Sequence, residues 1–301
     1  MRIVVFGAGG VGGYFGGRLA AAGSDVTFIA RGQHLNAIKA NGLRIVSPLG
    51  DVAIEVKAVD DIAAIDAADL VIVAVKLWDT ETVAPALKLL VARGAAVVSF
   101  QNGVTKDDIL RAHLPADAVM GGVSYIAARI AEPGVIEHTG TMQRLVFGEF
   151  DGNRSQRAQA FLRACEAAKI DAELSGAIDR VTWEKFVFLV GLSGATSFFR
   201  QPIGEIRADP EKRAFLHGAM QETVAVGLAR GVPLDAALAD DRLAFSDTLP
   251  AAMTSSMYTD LVRGNRLELP WLSGAVVEMG KALGISTPMN EEIVRALVAA
   301  C

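Results

Sequence analysis

Residues 3–12 of the chain read IVVFGAGGVG, and this stretch decides how the first half is interpreted. The continuous apolar run Ile3–Phe6 is typical of a strand that is buried on both faces of a parallel sheet. The glycines that follow match the pattern G-x-G-x-x-G, and a small-residue helix is predicted from about Val11 to Ala22. A strand, a glycine-rich turn and a helix in this order predict a dinucleotide-binding site.

Each glycine of the turn has a physical role in such a site. Gly7 allows the tight turn, Gly9 lets a pyrophosphate approach the backbone, and Gly12 permits close packing of the helix on the strand. The start of the helix adds unpaired N–H donors for an anion. A glycine-rich turn without a ligand is the alternative, which the flanking strand and helix disfavour. The predicted cofactor-binding residues of the turn are Gly7, Ala8, Gly9, Gly10, Val11 and Gly12.

The end of the second predicted strand indicates which dinucleotide is bound. Sites specific for NAD tend to place Asp or Glu there, where the carboxylate binds the ribose 2′-hydroxyl. This chain has Phe28-Ile29-Ala30-Arg31, without an acid, and the guanidinium of Arg31 can pair with a 2′-phosphate. The alternative is that Arg31 is a solvated surface residue. We therefore expect NADPH rather than NADH.

The remainder of the first half alternates strands and helices, as in βαβ units with right-handed crossovers. Further buried strands are predicted at 25–30, 69–75 and 95–100, with a helix at about 80–92. Shorter strands at 119–127, 135–138 and 145–147 are expected to extend the sheet in antiparallel fashion. A helix at 155–168 and a strand at 170–174 complete this part.

After Ser175 the pattern is helical, with one long helix predicted from Ile178 to about Phe199. Shorter helices are predicted at 209–230, 234–245, 254–262, 269–283 and 290–299. The fold class is therefore α/β. We predict an N-terminal Rossmann-type NADPH-binding domain, residues 1–175, followed by an all-α domain for substrate binding and dimerisation, residues 176–301.

Composition narrows the classes of function. The 301 residues are 51% hydrophobic and 21% charged, as in a folded soluble protein, and the formal net charge of -5 argues against nucleic-acid binding. The two cysteines, Cys165 and Cys301, and the four histidines show no metal-binding spacing, so neither a metal site nor a disulfide is expected. No signal segment is recognised, and the most apolar stretch, 186–199, is too short to span a bilayer. We expect a cytoplasmic protein without a membrane partner.

Other short motifs are spread over nearly the whole chain. They are Val75-Lys76, Gln101-Asn102-Gly103, Trp183-Glu184-Lys185, Thr254-Ser255-Ser256-Met257 and Gly264-Asn265-Arg266-Leu267-Glu268. Together with the glycine-rich turn and Arg31, this ordered set is far more specific than any one motif. The set resembles the ketopantoate reductase (2-dehydropantoate 2-reductase) family.

The resemblance implies a Rossmann domain joined to an all-helical domain, with a small-molecule keto acid bound in the cleft. It implies NADPH-dependent reduction of an α-keto acid to a 2-hydroxy acid, with 2-dehydropantoate (ketopantoate) expected first. Lys185 would be the proton donor, and Glu268 and Asn102 would help to organise the site. The remaining positions carried over are Asn102, Ser256 and Ser193 for the substrate, and Lys76, Ala128, Asn102 and Glu268 for the cofactor.

The residues themselves agree with this kind of chemistry. Hydride addition to a ketone leaves an alkoxide, and a partly buried lysine supplies both the cation and the proton that the alkoxide needs. Lys185 precedes the apolar stretch FVFLV, residues 186–190, where a lysine is costly unless it is paired or functional. A carboxylate such as that of Glu268 would hold it charged. The alternative is that Lys185 reaches water from the polar edge of its helix.

The other residues carried over from the family can each also be interpreted as purely structural. Asn102 follows the carboxyl end of a strand, where ligands bind in open α/β sheets, although Asn-Gly is a common turn. Lys76 also follows a strand end, and the alternative is that it is a solvated loop lysine. The alternative for Ser256 is that it caps a helix. The alternative for Glu268 is that it is a surface carboxylate paired with an arginine.

Three substrate positions depart from the family pattern. Where its pantoate-type members carry asparagine, this chain has Leu189, Ser193 and Ile203. The amides that would hydrogen-bond a polar substrate are therefore missing. This leaves open a different, more apolar keto acid or ketone, and also a non-catalytic NADPH-sensing protein. Since the fold alone does not fix the reaction, other dehydrogenase reactions stay open as well.

Overall fold

The structure of the protein, a computed structural model, describes residues 1–300 and divides into two compact units. The first comprises Met1–Asn102 and Lys106–Ile178, and the second comprises Gly103–Thr105 and the described residues from Asp179 onward. The first unit is α/β and the second is built of helices. The predicted assignment of cofactor binding to residues 1–175, and of substrate binding and dimerisation to residues 176–301, stays a prediction.

The strands of the first unit form one mixed sheet with helices packed on it. The strands are β1 Arg2–Phe6, β2 Asp25–Ile29, β3 Leu43–Val46, β4 Val52–Ile54, β5 Lys57–Val59, β6 Leu70–Val73, β7 Ala96–Ser99, β8 Val119–Glu132, β9 Val135–Gly148 and β10 Asp171–Leu174. The helices of this part of the chain are α1 Gly10–Ala21, α2 Gly32–Asn41, α3 Thr80–Val91, α4 Thr105–His113 and α5 Gln156–Ala167.

The sheet order places β1, the strand that leads into the glycine-rich turn, between β6 and β2. The strands run β4-β3-β9-β8-β7-β6-β1-β2-β5, with β10 also paired to β9. From β8 to β5 every neighbouring pair is parallel, whereas β8 and β9 are antiparallel. The carboxyl ends of β1, β2, β6 and β7 therefore lie at one edge of the sheet, where α/β proteins bind ligands.

Alternate residues of β1 face two separate apolar clusters. Ile3 and Val5 pack with Phe15 of α1 on one face, and Val4 packs with Leu87 of α3 on the other. All of these side chains are at most 2% exposed. Burial on both faces explains why β1 is a continuous apolar run rather than an alternating one.

The second unit consists of helices around an apolar core. They are α6 Ile178–Phe199, α7 Ile203–Ala208, α8 Pro210–Ala229, α9 Leu238–Asp247, α10 Ser256–Val262, α11 Ser273–Leu283 and α12 Pro288–Leu297. In α6 every residue from Val190 to Ser197 is buried, so this helix is central to the unit. Over residues 1–300, none of the helices combines the length and apolarity that crossing a membrane requires.

The predicted fold class, a Rossmann-type α/β part followed by a helical part, is confirmed. The prediction of three short strands at 119–127, 135–138 and 145–147 is wrong, because β8 and β9 are each 14 residues long. Residues 139–142 in the middle of β9 are exposed, so the sequence lacks the apolar alternation that would have joined its two ends. Sequence reasoning also missed α2, which buries only Leu35 and Ile38.

Candidate functional site

The glycine-rich turn is shaped by contacts between backbone atoms. Gly7 follows β1 with φ +104°, and its N–H donates to the Ile29 carbonyl over 3.0 Å. A Cβ atom at Gly7 would lie 2.8 Å from the Ala74 carbonyl carbon. A Cβ atom at Gly12 would overlap the Gly7 carbonyl oxygen and lie 2.9 Å from Val5 Cγ1. Both positions therefore require glycine to keep α1 against the strands.

Gly9 differs from its neighbours, because the space beside it is open. It is the N-cap of α1, with φ -71°, and no atom lies within 4 Å of the position that its Cβ would take. Neither the backbone conformation nor the fold excludes a side chain there. An open approach to the first N–H groups of a helix is what a pyrophosphate needs, so the turn fits a dinucleotide.

The turn also meets Ala128. A Cβ atom at Gly10 would overlap the Ala128 carbonyl group, so the first residue of α1 lies directly against the backbone of β8. Ala128 is half-buried, and β8 shifts register against β9 between Ile126 and Ala128. The structure thus brings Ala128 next to the predicted cofactor-binding turn.

Lys76 and Asn102 belong to two loops that a buried glutamine joins. Gln101 is 7% exposed, and its Nε2 donates to the Val75 carbonyl over 3.0 Å and to Thr80 Oγ1 over 2.8 Å. Lys76 is exposed, with its Nζ 5.5 Å from the centre of the Trp78 ring. Gln101 was not predicted from the sequence as a site residue, although its polar side chain directly after the buried strand β7 is a signal for a positioning role.

Arg31 is the residue directly before α2 and has an acidic neighbour. Its side chain is 65% exposed, and Nη2 lies 3.4 Å from Oδ2 of Asp79. Asp79 ends the 3-10 turn Leu77–Asp79 that follows β6. Asp79 was not predicted from the sequence as a site residue, because its approach to Arg31 depends on the parallel arrangement of β2, β1 and β6.

His34 is a further residue that sequence reasoning did not identify. Its Nε2 lies 2.8 Å from the Ala8 carbonyl oxygen, and the Gly134 N–H donates to its Nδ1 over 3.0 Å. Because Nδ1 accepts, the neutral ring carries its proton on Nε2 and donates it to Ala8. His34 therefore ties the glycine-rich turn to α2 and to the β8–β9 hairpin.

In the helical unit, Lys185 and Ser193 lie on the same helix, α6. Lys185 is half-buried and follows Glu184, which pairs with Arg180 over 2.7 Å. Ser193 lies two turns further along α6 and is fully buried. Its Oγ has no hydrogen-bond partner within the part of the chain that the structure describes.

Ser256 lies close to the same helix. It is the exposed first residue of α10, whose N-cap is Ser255. Ser255 Oγ lies 3.0 Å from Oγ1 of Thr196, one turn beyond Ser193 on α6. Glu268 precedes the 3-10 turn Leu269–Trp271 and is 8% exposed, so it is not a surface carboxylate.

The two remaining positions that depart from the family pattern are apolar in the structure. Ile203 begins α7 and is 0% exposed within the core of the helical unit. Leu189 is half-buried against the same core, one turn after Lys185. Neither side chain supplies a polar contact. Among residues 1–300, no group of three or more His, Cys, Asp or Glu side chains is placed to hold a metal ion.

Comparison with known proteins gives concordant results for both parts of the chain. Residues 3–152 match the family model described as ketopantoate reductase PanE/ApbA, and residues 177–300 match the model of its C-terminal domain. A 2-dehydropantoate 2-reductase of Halobacterium salinarum is 33% identical, with 96% of this chain and 95% of that protein covered. An uncharacterized oxidoreductase of Bacillus subtilis, YkpB, is 32% identical, with 97% and 96% covered.

A solved structure shows the same similarity in three dimensions. A PanE/ApbA family ketopantoate reductase from Ralstonia eutropha JMP134 superposes with a TM-score of 0.90 at 34% identity. The match covers 100% of this chain and 98% of that one. The similarity therefore extends over both units and is not confined to the dinucleotide-binding turn.

The first prediction separates ligand binding from folding within one turn. Gly9→Ala should keep the free energy of unfolding within about 1 kcal/mol of wild type, because the methyl group meets no protein atom. It should weaken dinucleotide binding at least about tenfold by filling the space for the pyrophosphate. Gly12→Ala should instead destabilise the protein by about 1–3 kcal/mol or more through overlap with Gly7.

Urea unfolding and dinucleotide titration of both variants check this prediction. Tight binding by Gly9→Ala would contradict the location of the pyrophosphate. Wild-type stability of Gly12→Ala would contradict the packing of α1.

The second prediction concerns the pH dependence of stability through His34. Burial lowers the pKa of His34 from 6.5, and the hydrogen bond to Ala8 opposes this only in part. The unfolded chain therefore binds this proton at a higher pH than the folded protein does. The stability that the neutral ring contributes is full above pH 6.5 and is lost as the pH falls from 6.5 towards the lower folded-state pKa.

The variant His34→Gln keeps a donor and an acceptor but does not titrate. We expect the urea midpoint of wild type to fall more than that of the variant between about pH 8 and about pH 5. Parallel loss of stability in the two proteins would show that His34 does not contribute to the pH dependence.

Proposed function

The chain belongs to the ketopantoate reductase family, and we propose that it reduces an α-keto acid to the 2-hydroxy acid with NADPH. It is an oxidoreductase of this family that uses a nicotinamide dinucleotide. The observation that carries the proposal is the turn itself, in which Gly7, Gly10 and Gly12 are closed by backbone atoms while Gly9 alone is open. The first candidate substrate is 2-dehydropantoate.

The preference for NADPH is proposed from Arg31. Its guanidinium is exposed at the carboxyl end of β2, the strand end at which the adenosine ribose is held in this class of fold. An arginine there binds a 2′-phosphate through two parallel hydrogen bonds. Gly7, Ala8, Gly9, Gly10, Val11 and Gly12 are assigned to the pyrophosphate, with Lys76 and Ala128 beside them.

The proton donor is proposed to be Lys185. A nicotinamide held beside the turn would supply a hydride to the carbonyl carbon of the substrate. The negative charge that develops on the carbonyl oxygen needs a cation and then a proton, and Lys185 Nζ supplies both. The proton passes to the oxygen as the carbon–oxygen double bond becomes single, which gives the 2-hydroxy acid. Lys185 takes up a proton from water before the next turnover.

The supporting roles are proposed for polar residues of both units. Asn102 orients the substrate beside the cofactor, and Glu268 holds the ammonium group of Lys185 charged. Glu268 is buried among the helices, where a carboxylate requires a partner or a function. Ser193 and Ser256 are assigned to the substrate. The buried Oγ of Ser193, without a partner in residues 1–300, is available for that contact.

A keto acid less polar than 2-dehydropantoate is a second candidate substrate. It is favoured by Leu189 and Ile203, since both are packed against apolar groups and offer no hydrogen bond. Sites that bind a substrate hydroxyl through buried polar groups reject an analogue that lacks it, because those groups are left unpaired. Without such polar groups, the site should discriminate little between 2-dehydropantoate and an analogue that lacks its hydroxyl.

The third prediction tests the proton donor. Lys185→Gln should lower kcat at least about 100-fold, because it removes the general acid. Binding of NADPH, measured by titration in the absence of substrate, should be little changed. Lys281→Gln is the matched control, since Lys281 is an exposed lysine of α11 paired with Glu278. Full turnover by the Lys185 variant would exclude the assigned role.

The fourth prediction tests the substrate. We expect kcat/KM for 2-dehydropantoate and for its deoxy analogue, 3,3-dimethyl-2-oxobutanoate, to agree within about tenfold, where a hydroxyl-specific site would give a ratio of about 10⁴. Steady-state oxidation of NADPH measures both values. A strong preference for 2-dehydropantoate would contradict the view that its hydroxyl is unrecognised. Absence of turnover across a broad panel of keto acids, with NADPH bound, would favour a sensing protein.

A further inference from the structure

Asp79 and Arg31 form an ion pair across the edge of the sheet that carries the glycine-rich turn. Nη2 of Arg31 and Oδ2 of Asp79 are 3.4 Å apart. Arg31 follows β2, and Asp79 follows β6, which are the two neighbours of β1 in the sheet. The pair therefore reaches across the end of β1, where the turn begins.

The position of Asp79 is fixed by buried hydrogen bonds on both sides. Before it, Gln101 Nε2 donates to the Val75 carbonyl over 3.0 Å. After it, the same nitrogen donates to Thr80 Oγ1 over 2.8 Å, and Thr80 Oγ1 donates to the Leu77 carbonyl over 2.8 Å. Thr80 is 0% exposed. The carboxylate of Asp79 is thus carried by a short segment that is held at both ends.

A carboxylate at this place has two opposite effects on the possible cofactors. It accepts a hydrogen bond from a ribose 2′-hydroxyl, which is the role of the acid at the end of the second strand in NAD sites. It also repels the dianionic 2′-phosphate of NADPH and occupies the guanidinium that would bind it. The acid missing from the end of β2 is thereby supplied from the loop after β6.

We propose that Asp79 determines the cofactor preference of this site. It competes with the 2′-phosphate of NADPH for Arg31 and accepts a hydrogen bond from the 2′-hydroxyl of NADH, so the protein binds both cofactors. The inference rests on the proposed function in one respect, that the adenosine ribose lies beside Arg31. Because of the Asp79 carboxylate, the protein is expected to bind NADPH and NADH with similar affinities rather than to prefer NADPH strictly.

Direct binding measurements test this proposal independently of turnover. Dissociation constants for NADPH and NADH are measured by calorimetry, without substrate, for wild type, Asp79→Asn, Arg31→Gln and the double variant. Wild type should bind the two cofactors with affinities within about tenfold of each other. Asp79→Asn should bind NADPH about tenfold more tightly and NADH less tightly.

The double variant shows whether the effect passes through Arg31. Arg31→Gln should weaken NADPH binding selectively, and adding Asp79→Asn to it should recover less NADPH affinity than the same change does in wild type. Glu81→Gln is the charge-matched control, because Glu81 is exposed on α3 two residues further on. It removes the same charge and should leave the ratio of the two dissociation constants unchanged.

The possible failures are distinguishable. If Asp79→Asn leaves the ratio of NADPH to NADH affinity unchanged while Arg31→Gln alters it, the inference about Asp79 is overturned and the proposed function stands. An equal effect of Glu81→Gln would also overturn it, because the loss of any nearby negative charge would then be enough to change the affinity ratio. If wild type binds neither cofactor, the proposed function itself fails.

Discussion

The first unit depends on a close approach of α1 to the strands, in which main-chain atoms contact each other directly. The Gly7 carbonyl oxygen occupies the place of a Cβ at Gly12, and the Ala128 carbonyl occupies that at Gly10. At these two points α1 meets the residue after β1, and the backbone of β8, through main-chain atoms. The same packing directs the start of α1 towards the open space beside Gly9. Helix packing and ligand access are therefore two consequences of one backbone arrangement.

Polar side chains then connect this turn to the surrounding loops. His34 joins Ala8 to Gly134, which is the tip of the β8–β9 hairpin. Gln101 joins the loop after β7 to the loop after β6. Gln101 is buried and His34 is half-buried, so their hydrogen bonds compete less with water than bonds at the surface do. The sheet edge that carries the turn is consequently a connected network, and its geometry does not depend on the glycines alone.

The sequence predicted the parts of this site that local patterns determine. The apolar run of β1, the glycines and the small residues of α1 are contiguous, so strand, turn and helix were recognisable together. Asp79 and His34 were not found, because their partners are distant in sequence and nothing in their own neighbourhoods distinguishes them from solvated residues. The length of β9 was missed for a related reason: its middle is exposed and polar, and only pairing with β8 makes it a strand.

The helical unit shows why the substrate was harder to predict than the reaction. Lys185 could be singled out because the family resemblance indicated it and because a cation beside an apolar stretch of helix is costly unless it is paired or functional. The positions proposed to set the substrate preference, by contrast, also build the core. Ile203 is fully buried, so an amide at that position would lose its water and need new partners within the helices. Ser193 keeps a buried hydroxyl that the described residues leave unpaired. Since an unpaired buried hydroxyl costs about 1–3 kcal/mol, a ligand group that bonds to it recovers that free energy. Packing of the core thus restricts polar recognition to few positions, which is the reason a keto acid less polar than 2-dehydropantoate is proposed as the second candidate substrate.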